Sequence, residues 1–462
     1  MAENKAKVKK NSSSPTKVGF VSLGCAKNLA DTEVMLKLLV DAGYEIVSED
    51  TDADIIIINT CAFLESARKE AIDNILDVAW LKKHRTLHGI IVTGCLPEMV
   101  KDEIFRELPE VDAALGVGGI YNIVEAVKSV ENKKKYAFFD CKETSQLGGE
   151  RVLTTEGYAY LKIAEGCDNK CTYCLIPSIR GRHRSRPMED IVEEARQLAE
   201  LSVSELDIVA QDTSRYGLDL YGEYKLAELV HKITDGSSVP WVRLLYCYPD
   251  KITDELIAEI KNNPRVCRYI DMPIQHVSER VLSRMNRHGG ARVVREAISR
   301  LRHEIPDIVI RTTVMVGFPG ETDEDFEELC EFIKDVKFDR LGAFMFSPEE
   351  GTPAAEFPDQ IDEQTKQDRY DTVMALQLDI SEELNRARVG QTLDVLYEGF
   401  DYISGTCYGR SEFDAPDVDG KVYFSCAAKD RPCEGTHIKV KITDTLDYDL
   451  VGEYVKGGDD GK

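Results

Sequence analysis

Short runs of branched apolar residues recur along most of this 462-residue chain, and a stretch with helical periodicity follows each one. KVGFVSLG (17–24), DIIIINT (54–60) and GIIVTG (89–94) come first, and VDAALGVG (111–118) forms a fourth. Such runs are apolar on both faces, which is the pattern of parallel strands covered on two sides; half-exposed strands alternate instead. Parallel strands need crossover connections, and helices over 28–42, 65–81 and 97–108 supply them. In the second helix Ala67, Ala71, Ile72, Ile75, Leu76 and Ala79 are expected to form one buried stripe. The expectation for residues 17–139 is a doubly wound α/β domain.

Beyond a linker at 140–157 the alternation resumes. YAYLKI (158–163), LDIVA (206–210), VRLLY (242–246), YIDMPI (269–274), IVIRTTVMV (308–316) and LGAFMF (341–346) read as strands separated by amphipathic segments. Thr322 is placed to cap the helix after Glu321, with Asp325 three residues on completing a capping box. Phe326, Leu329, Cys330, Ile333 and Val336 line the apolar face of that helix. Six βα units, closed by a helix over 361–386, predict an incomplete parallel barrel spanning 158–387. From 388 to 455 the period changes to two: TLDVLYEG, KVYFSC and HIKVKIT predict a small antiparallel β-barrel. The overall expectation is an α/β multidomain protein, with polar tails at 1–16, expected to be disordered, and at 456–462.

The thirteen cysteines carry the chemistry. No apolar run approaches the roughly 20 residues of a membrane span, and the N-terminal residues lack the apolar core of an export signal. The expectation is a cytoplasmic chain whose thiols stay reduced and serve as ligands or core side chains. Cys167, Cys171 and Cys174 share one loop after the first barrel strand, where barrel enzymes place their chemistry. Cys25, Cys61 and Cys95 each follow a strand of the first domain, and the C-terminal ends of such strands converge on a ligand-binding crevice. Three thiolates can hold three irons of a cubane and leave the fourth iron open. Each triad is therefore expected to hold one 4Fe–4S cluster. Zinc is the alternative for the compact triad, but structural zinc takes four ligands and only His183 offers a fourth. Ordinary burial of core thiols is the alternative for the dispersed triad. Cys141, Cys247, Cys267, Cys330, Cys407, Cys426 and Cys433 are read as structural.

Softer signals surround these. Tyr173 precedes the last cysteine of the compact triad and could cover a cluster or an adenine ring. Gly317 and Gly320, in GFPGET, could turn the backbone against a cofactor or form a plain βα turn. Gln275 and His276 end a strand. Arg180, Arg182, Arg184 and Arg186 form a basic arm that could guide an acidic group or stay solvated.

The CxxxCxxC loop with its aromatic resembles the signature of radical S-adenosylmethionine enzymes. The order of domains over about 17–455 is similar to the methylthiotransferases, with a cluster domain, a radical barrel and a C-terminal TRAM domain. SLGCAKNLADTE, AYLKIAEGCDNKCTYCLIPSIRGRHRSRP and FSPEEGTPAA resemble the branch that modifies ribosomal protein S12. The resemblance implies methylthiolation of the β-carbon of an aspartate in S12, with two S-adenosylmethionine molecules as radical source and methyl donor. It assigns radical formation to the cluster on Cys167, Cys171 and Cys174, and sulfur presentation to the cluster on Cys25, Cys61 and Cys95. It also implies a reducing electron-donor protein as a partner.

Charge bears on the substrate. The net charge is −25, and residues 388–455 hold seven Lys/Arg against thirteen Asp/Glu. Phosphate binding needs a basic groove, so the C-terminal barrel favours a basic protein over RNA. The alternatives are the sister reaction, methylthiolation of a modified adenosine in transfer RNA, and a non-enzymatic iron–sulfur carrier.

Overall fold

The computed structural model describes residues 15–85, 87–139 and 146–456; most of the N-terminal tail, residues 140–145 of the linker with Cys141, and residues 457–462 lie outside them. The first sheet has six parallel strands in the order Glu45–Val47, Lys17–Ser22, Ile55–Thr60, Gly89–Gly94, Ala113–Leu115, Tyr136–Phe138. Ile55–Thr60 and Gly89–Gly94 are buried at every residue, which is why their sequences read so clearly. Glu45–Val47 and Tyr136–Phe138 carry no sequence signal. They are three-residue edge strands with no fully buried residue. The strand order reverses between Lys17–Ser22 and Ile55–Thr60, so a crevice opens at their C-terminal ends.

Two helices differ from expectation. The helix Glu65–His84 buries Ala71, Ile75 and Val78, while Ile72 and Leu76 are 38% and 47% exposed. At 3.6 residues per turn, positions 72 and 76 sit about 100° around the helix from 71 and 75, so the buried stripe is narrower than expected. The expected helix over 97–108 is broken into Cys95–Val100, a 3-10 turn Lys101–Glu103, and Ile104–Glu107, with Lys101 at φ 50.

The second sheet is open and parallel, in the order Arg340–Met345, Val309–Val316, Val266–Asp271, Trp241–Leu244, Glu205–Val209, Tyr158–Lys162. Alternate residues serve its two faces. Ala159, Leu161, Leu206, Ile208, Val242 and Leu244 pack against the outer helices. Tyr160, Val209, Trp241, Tyr269 and Val309 form a separate inner cluster. The capping box at Thr322 and Asp325 is present, and the helix Asp323–Val336 follows it.

Five strands close the C-terminal barrel: Thr392–Asp401, Thr406–Ser411, Val422–Ser425, Asp449–Val455 and His437–Leu446. Every pairing is antiparallel except Val422–Ser425 with Asp449–Val455. Leu396 and Ala415 of this barrel join the inner cluster of the open sheet. Arg410 meets Glu205 at 2.8 Å, Asp414 meets Arg340 at 2.6 Å, and Asp419 accepts from the Tyr269 hydroxyl at 2.6 Å. Several acids of the barrel are thus turned inward to pair with its neighbour, so its acid count overstates the charge it shows to solvent.

Candidate active site

All six cysteines of the two triads line one cavity of about 340 Å³ between the first domain and the open barrel. Local backbone explains how they converge. Gly24, directly before Cys25, has φ 99, and a Cβ there would stand 2.8 Å from Cys61 Cβ. Only glycine lets these two strand-end loops approach so closely. Gly166, before Cys167, has φ 79, and a Cβ would fall 2.1 Å from the Arg182 carbonyl. Cys25 is also the N-cap of the helix Ala26–Asp41.

The thiols differ in acidity. Burial opposes ionisation of Cys25, but the Lys27 and Arg180 cations and the N–H groups of Asn28 and Lys27 outweigh it, so its pKa falls below the ordinary value. Burial raises Cys61 and pushes Cys95 up to about 12. In the compact triad, burial pushes Cys167 up to about 11 and Cys174 up to about 12. Polar hydrogens orient two of these sulfurs: Asn169 Nδ2 lies 3.4 Å from Cys167 Sγ, and the Ile176 N–H lies 3.4 Å from Cys174 Sγ. Asn169 is itself fixed by Asp212 at 2.7 Å, and Asp212 by Lys251 at 3.2 Å.

Each triad brings three thiols to the cavity wall, the ligand number that leaves one iron of a cubane open. Among the described residues, no three His, Cys, Asp or Glu side chains gather closely enough to hold one metal ion. A zinc ion draws thiolates to about 2.3 Å, whereas a cubane bonds each thiolate through a different iron and leaves the sulfurs further apart. His183, the candidate fourth zinc ligand, instead faces Ser185 Oγ at 3.2 Å and does not line the cavity.

The remaining signals divide. Tyr173 and Gln275 line the cavity, and Tyr173 stacks edge-on with Phe318 at 6.5 Å. Gly317 (φ 71) turns against Lys366 and Gly320 (φ 80) against Arg284; neither glycine lines the cavity. His276 is buried away from the cavity, with Nδ1 accepting from the Ser278 N–H at 3.0 Å. The basic arm is not uniformly solvated. Arg180, 1% exposed, donates to Glu165 at 2.9 Å and to Asn28 Oδ1 at 2.5 Å. Arg186 pairs with Glu194 at 2.5 Å, while the Arg182 side chain is 82% exposed.

Sequence reasoning missed the polar face of Ala26–Asp41. Asn28 donates to the Leu23 and Thr60 carbonyls at 3.1 and 3.0 Å, tying two cysteine loops together. Asp31 pairs with Lys162, and Glu33 accepts from Thr154 Oγ1 at 3.0 Å and faces Arg151 at 3.3 Å. The signal was a helix start crowded with Lys, Asn, Asp and Glu in a segment that its position at a strand end should bury. Glu349, in FSPEEGTPAA, accepts from the Glu65 N–H at 3.0 Å and from Arg68 at 2.6 Å, clasping the first domain from the other side.

Comparison with known proteins agrees with this arrangement. Residues 17–116 match the uncharacterized protein family UPF0004, residues 161–333 the radical SAM superfamily and residues 389–455 the TRAM domain. The chain is 49% identical over 439 residues to the ribosomal protein uS12 methylthiotransferase RimO of Caldanaerobacter subterraneus subsp. tengcongensis, covering 95% of this chain and 99% of that one. It is 45% identical over 448 residues to the protein of the same name from Geobacter sulfurreducens, covering 96% and 100%. In fold it is similar to a radical S-adenosylmethionine methyltransferase of Kitasatospora setae, solved with cobalamin and a 4Fe–4S cluster. That match has a TM-score of 0.54 and 13% identity, and covers 82% of this chain and 80% of that one.

Proposed function

The chain belongs to the ribosomal protein uS12 methylthiotransferases, and we propose from this membership and its cavity that it places a methylthio group on the β-carbon of an aspartate in uS12. The observation that carries the reading is the meeting of two cysteine triads, contributed by two domains, on one cavity. Cys167, Cys171 and Cys174 would hold one 4Fe–4S cluster, and Cys25, Cys61 and Cys95 the other. When bound, the clusters and S-adenosylmethionine supply the radical, the sulfur and the methyl group.

The chain's own residues do the positioning. Asn169 and the Ile176 N–H orient sulfurs of the compact triad, and Asn28 holds two loops of the dispersed triad in register. Phe63, Leu64, Ile176 and Phe346 wall the cavity and keep water from reactive species. Phe344 and Met345 also line it, at 51% and 37% exposure, and form an apolar rim where a substrate loop enters. Tyr173 lies beside the compact triad, where it can cover the adenine of the cofactor. A reducing electron-donor protein would complete the system, and a ribosomal substrate supports a cytoplasmic location.

The test is anaerobic reconstitution and incubation with S-adenosylmethionine, a reductant, and uS12 or transfer RNA in parallel. Mass spectrometry should find the methylthio mass gain on an aspartate of uS12 and none on transfer RNA. A gain on transfer RNA alone would overturn the reading.

A further inference from the structure

The charges lining the cavity are almost all matched. Arg180 is paired with Glu165 at 2.9 Å, Asp271 with Arg311 at 2.8 Å, and Glu349 with Arg68 at 2.6 Å. Lys27 is the exception as far as carboxylates go, although its cation also acts on the Cys25 thiol two residues away. It lines the same cavity and is 7% exposed, and no carboxylate among the described residues pairs with it. It lies over the face of Tyr246, with Nζ 3.8 Å from the ring centroid. That ring is deliberately placed. Tyr246 has φ 60, and its N–H donates to Asp271 Oδ2 at 2.9 Å, which fixes the residue in the left-handed region. A π face steadies an ammonium on one side without neutralising it. A buried cation left in this state is suited to an incoming anion.

Position says which anion. Lys27 is two residues from Cys25, on the side of the cavity built by the dispersed triad. In aspartate the β-carbon is bonded directly to the carboxyl carbon. An aspartate that brings its β-carbon to the dispersed triad therefore brings its carboxylate to within a few bond lengths of the same place. Burying that carboxylate between Phe63, Leu64 and Phe346 is unfavourable unless a cation meets it.

We propose that the Lys27 ammonium binds the side-chain carboxylate of the target aspartate and so selects an acidic residue for modification. The proposal rests on the uS12 reading above and adds the residue that makes the choice. Lys27 is a binding and specificity residue, and Tyr246 positions it.

The test uses the anaerobically reconstituted full-length enzyme and purified uS12 carrying either aspartate or asparagine at the modified position. Wild-type enzyme should bind the aspartate form about 30-fold more tightly, the scale of a desolvated charge pair. Lys27→Met should bind both forms alike, at the level of wild type with asparagine. Lys27→Arg, which keeps the charge, should retain most of the preference. Iron content is measured on each variant, so that a lost cluster is not read as lost recognition. A Lys27→Met enzyme that still prefers aspartate, or a Lys27→Arg enzyme that does not, would overturn the assignment. So would weakened S-adenosylmethionine binding with the aspartate preference intact, because Lys27 would then hold the cofactor's carboxylate. Wild-type enzyme that binds neither form of uS12 would overturn the functional reading itself, a result distinguishable from failure of Lys27 alone.

Discussion

The six thiols share a cavity, and burial and nearby cations pull several of them in opposite directions. Burial pushes Cys95 and Cys174 up to about 12 and Cys167 up to about 11, while nearby cations draw Cys25 the other way. A thiol must lose its proton to bind iron, so cluster binding releases protons and strengthens as pH rises. The sign follows from the raised values: lower pH favours the protonated, metal-free thiols. Iron retained against a fixed chelator concentration should therefore fall steadily from pH 8 to pH 6. Retention independent of pH would mean that these thiols are not the ligands. The cysteines themselves were legible in the sequence, because their spacing in one loop and their places after strands are local facts. Lys27, Asn28 and Glu349 were not, because their roles depend on which residues distant in sequence face them.

At the scale of elements, strand ends make the site. The topology places Cys25 and Cys61 at the reversal of strand order in the first sheet, where crevices form in doubly wound folds. Their approach depends on Gly24. Gly24→Ala would force a side chain into the left-handed region and within 2.8 Å of Cys61 Cβ. The expected outcome is a loss of about 2 kcal/mol in stability and reduced iron on the dispersed triad, with the compact triad still loaded. Calorimetry and iron assay on the purified variant check both; full iron at wild-type stability would refute the packing argument. Buried strands were readable here because continuous apolar runs such as IIIINT have few other uses. The stripe on Glu65–His84 was misjudged at Ile72 and Leu76 because apolar composition alone does not fix how wide a buried face is. The strands Thr406–Ser411 and Asp449–Val455 escaped notice because Gly, Arg and Glu interrupt their apolar alternation.

Across the whole molecule, buried ion pairs join three folding units around the cavity. Lys162 of the open barrel and Arg151 of the linker reach the first helix, Glu349 reaches back to Arg68, and Arg410 of the C-terminal barrel meets Glu205. Such pairs contribute little net stability against apolar substitutes, but they penalise wrong docking, since an unmatched buried charge costs several kcal/mol. Among the described residues no helix is long and apolar enough to cross a membrane. The order of the units was readable from changes in hydrophobic period, whereas their docking was not, because it is written in charges scattered over hundreds of residues.

The central claim is that this docking brings two separate clusters to one cavity. Iron and sulfide quantitation with Mössbauer spectroscopy tests it most directly, on wild-type enzyme and on two triple variants, Cys25/Cys61/Cys95→Ala and Cys167/Cys171/Cys174→Ala. Wild type should hold about eight irons per chain and each variant about four, with only the first variant still cleaving S-adenosylmethionine. Wild-type protein holding about four irons or zinc, or a triple variant keeping about eight, would contradict it.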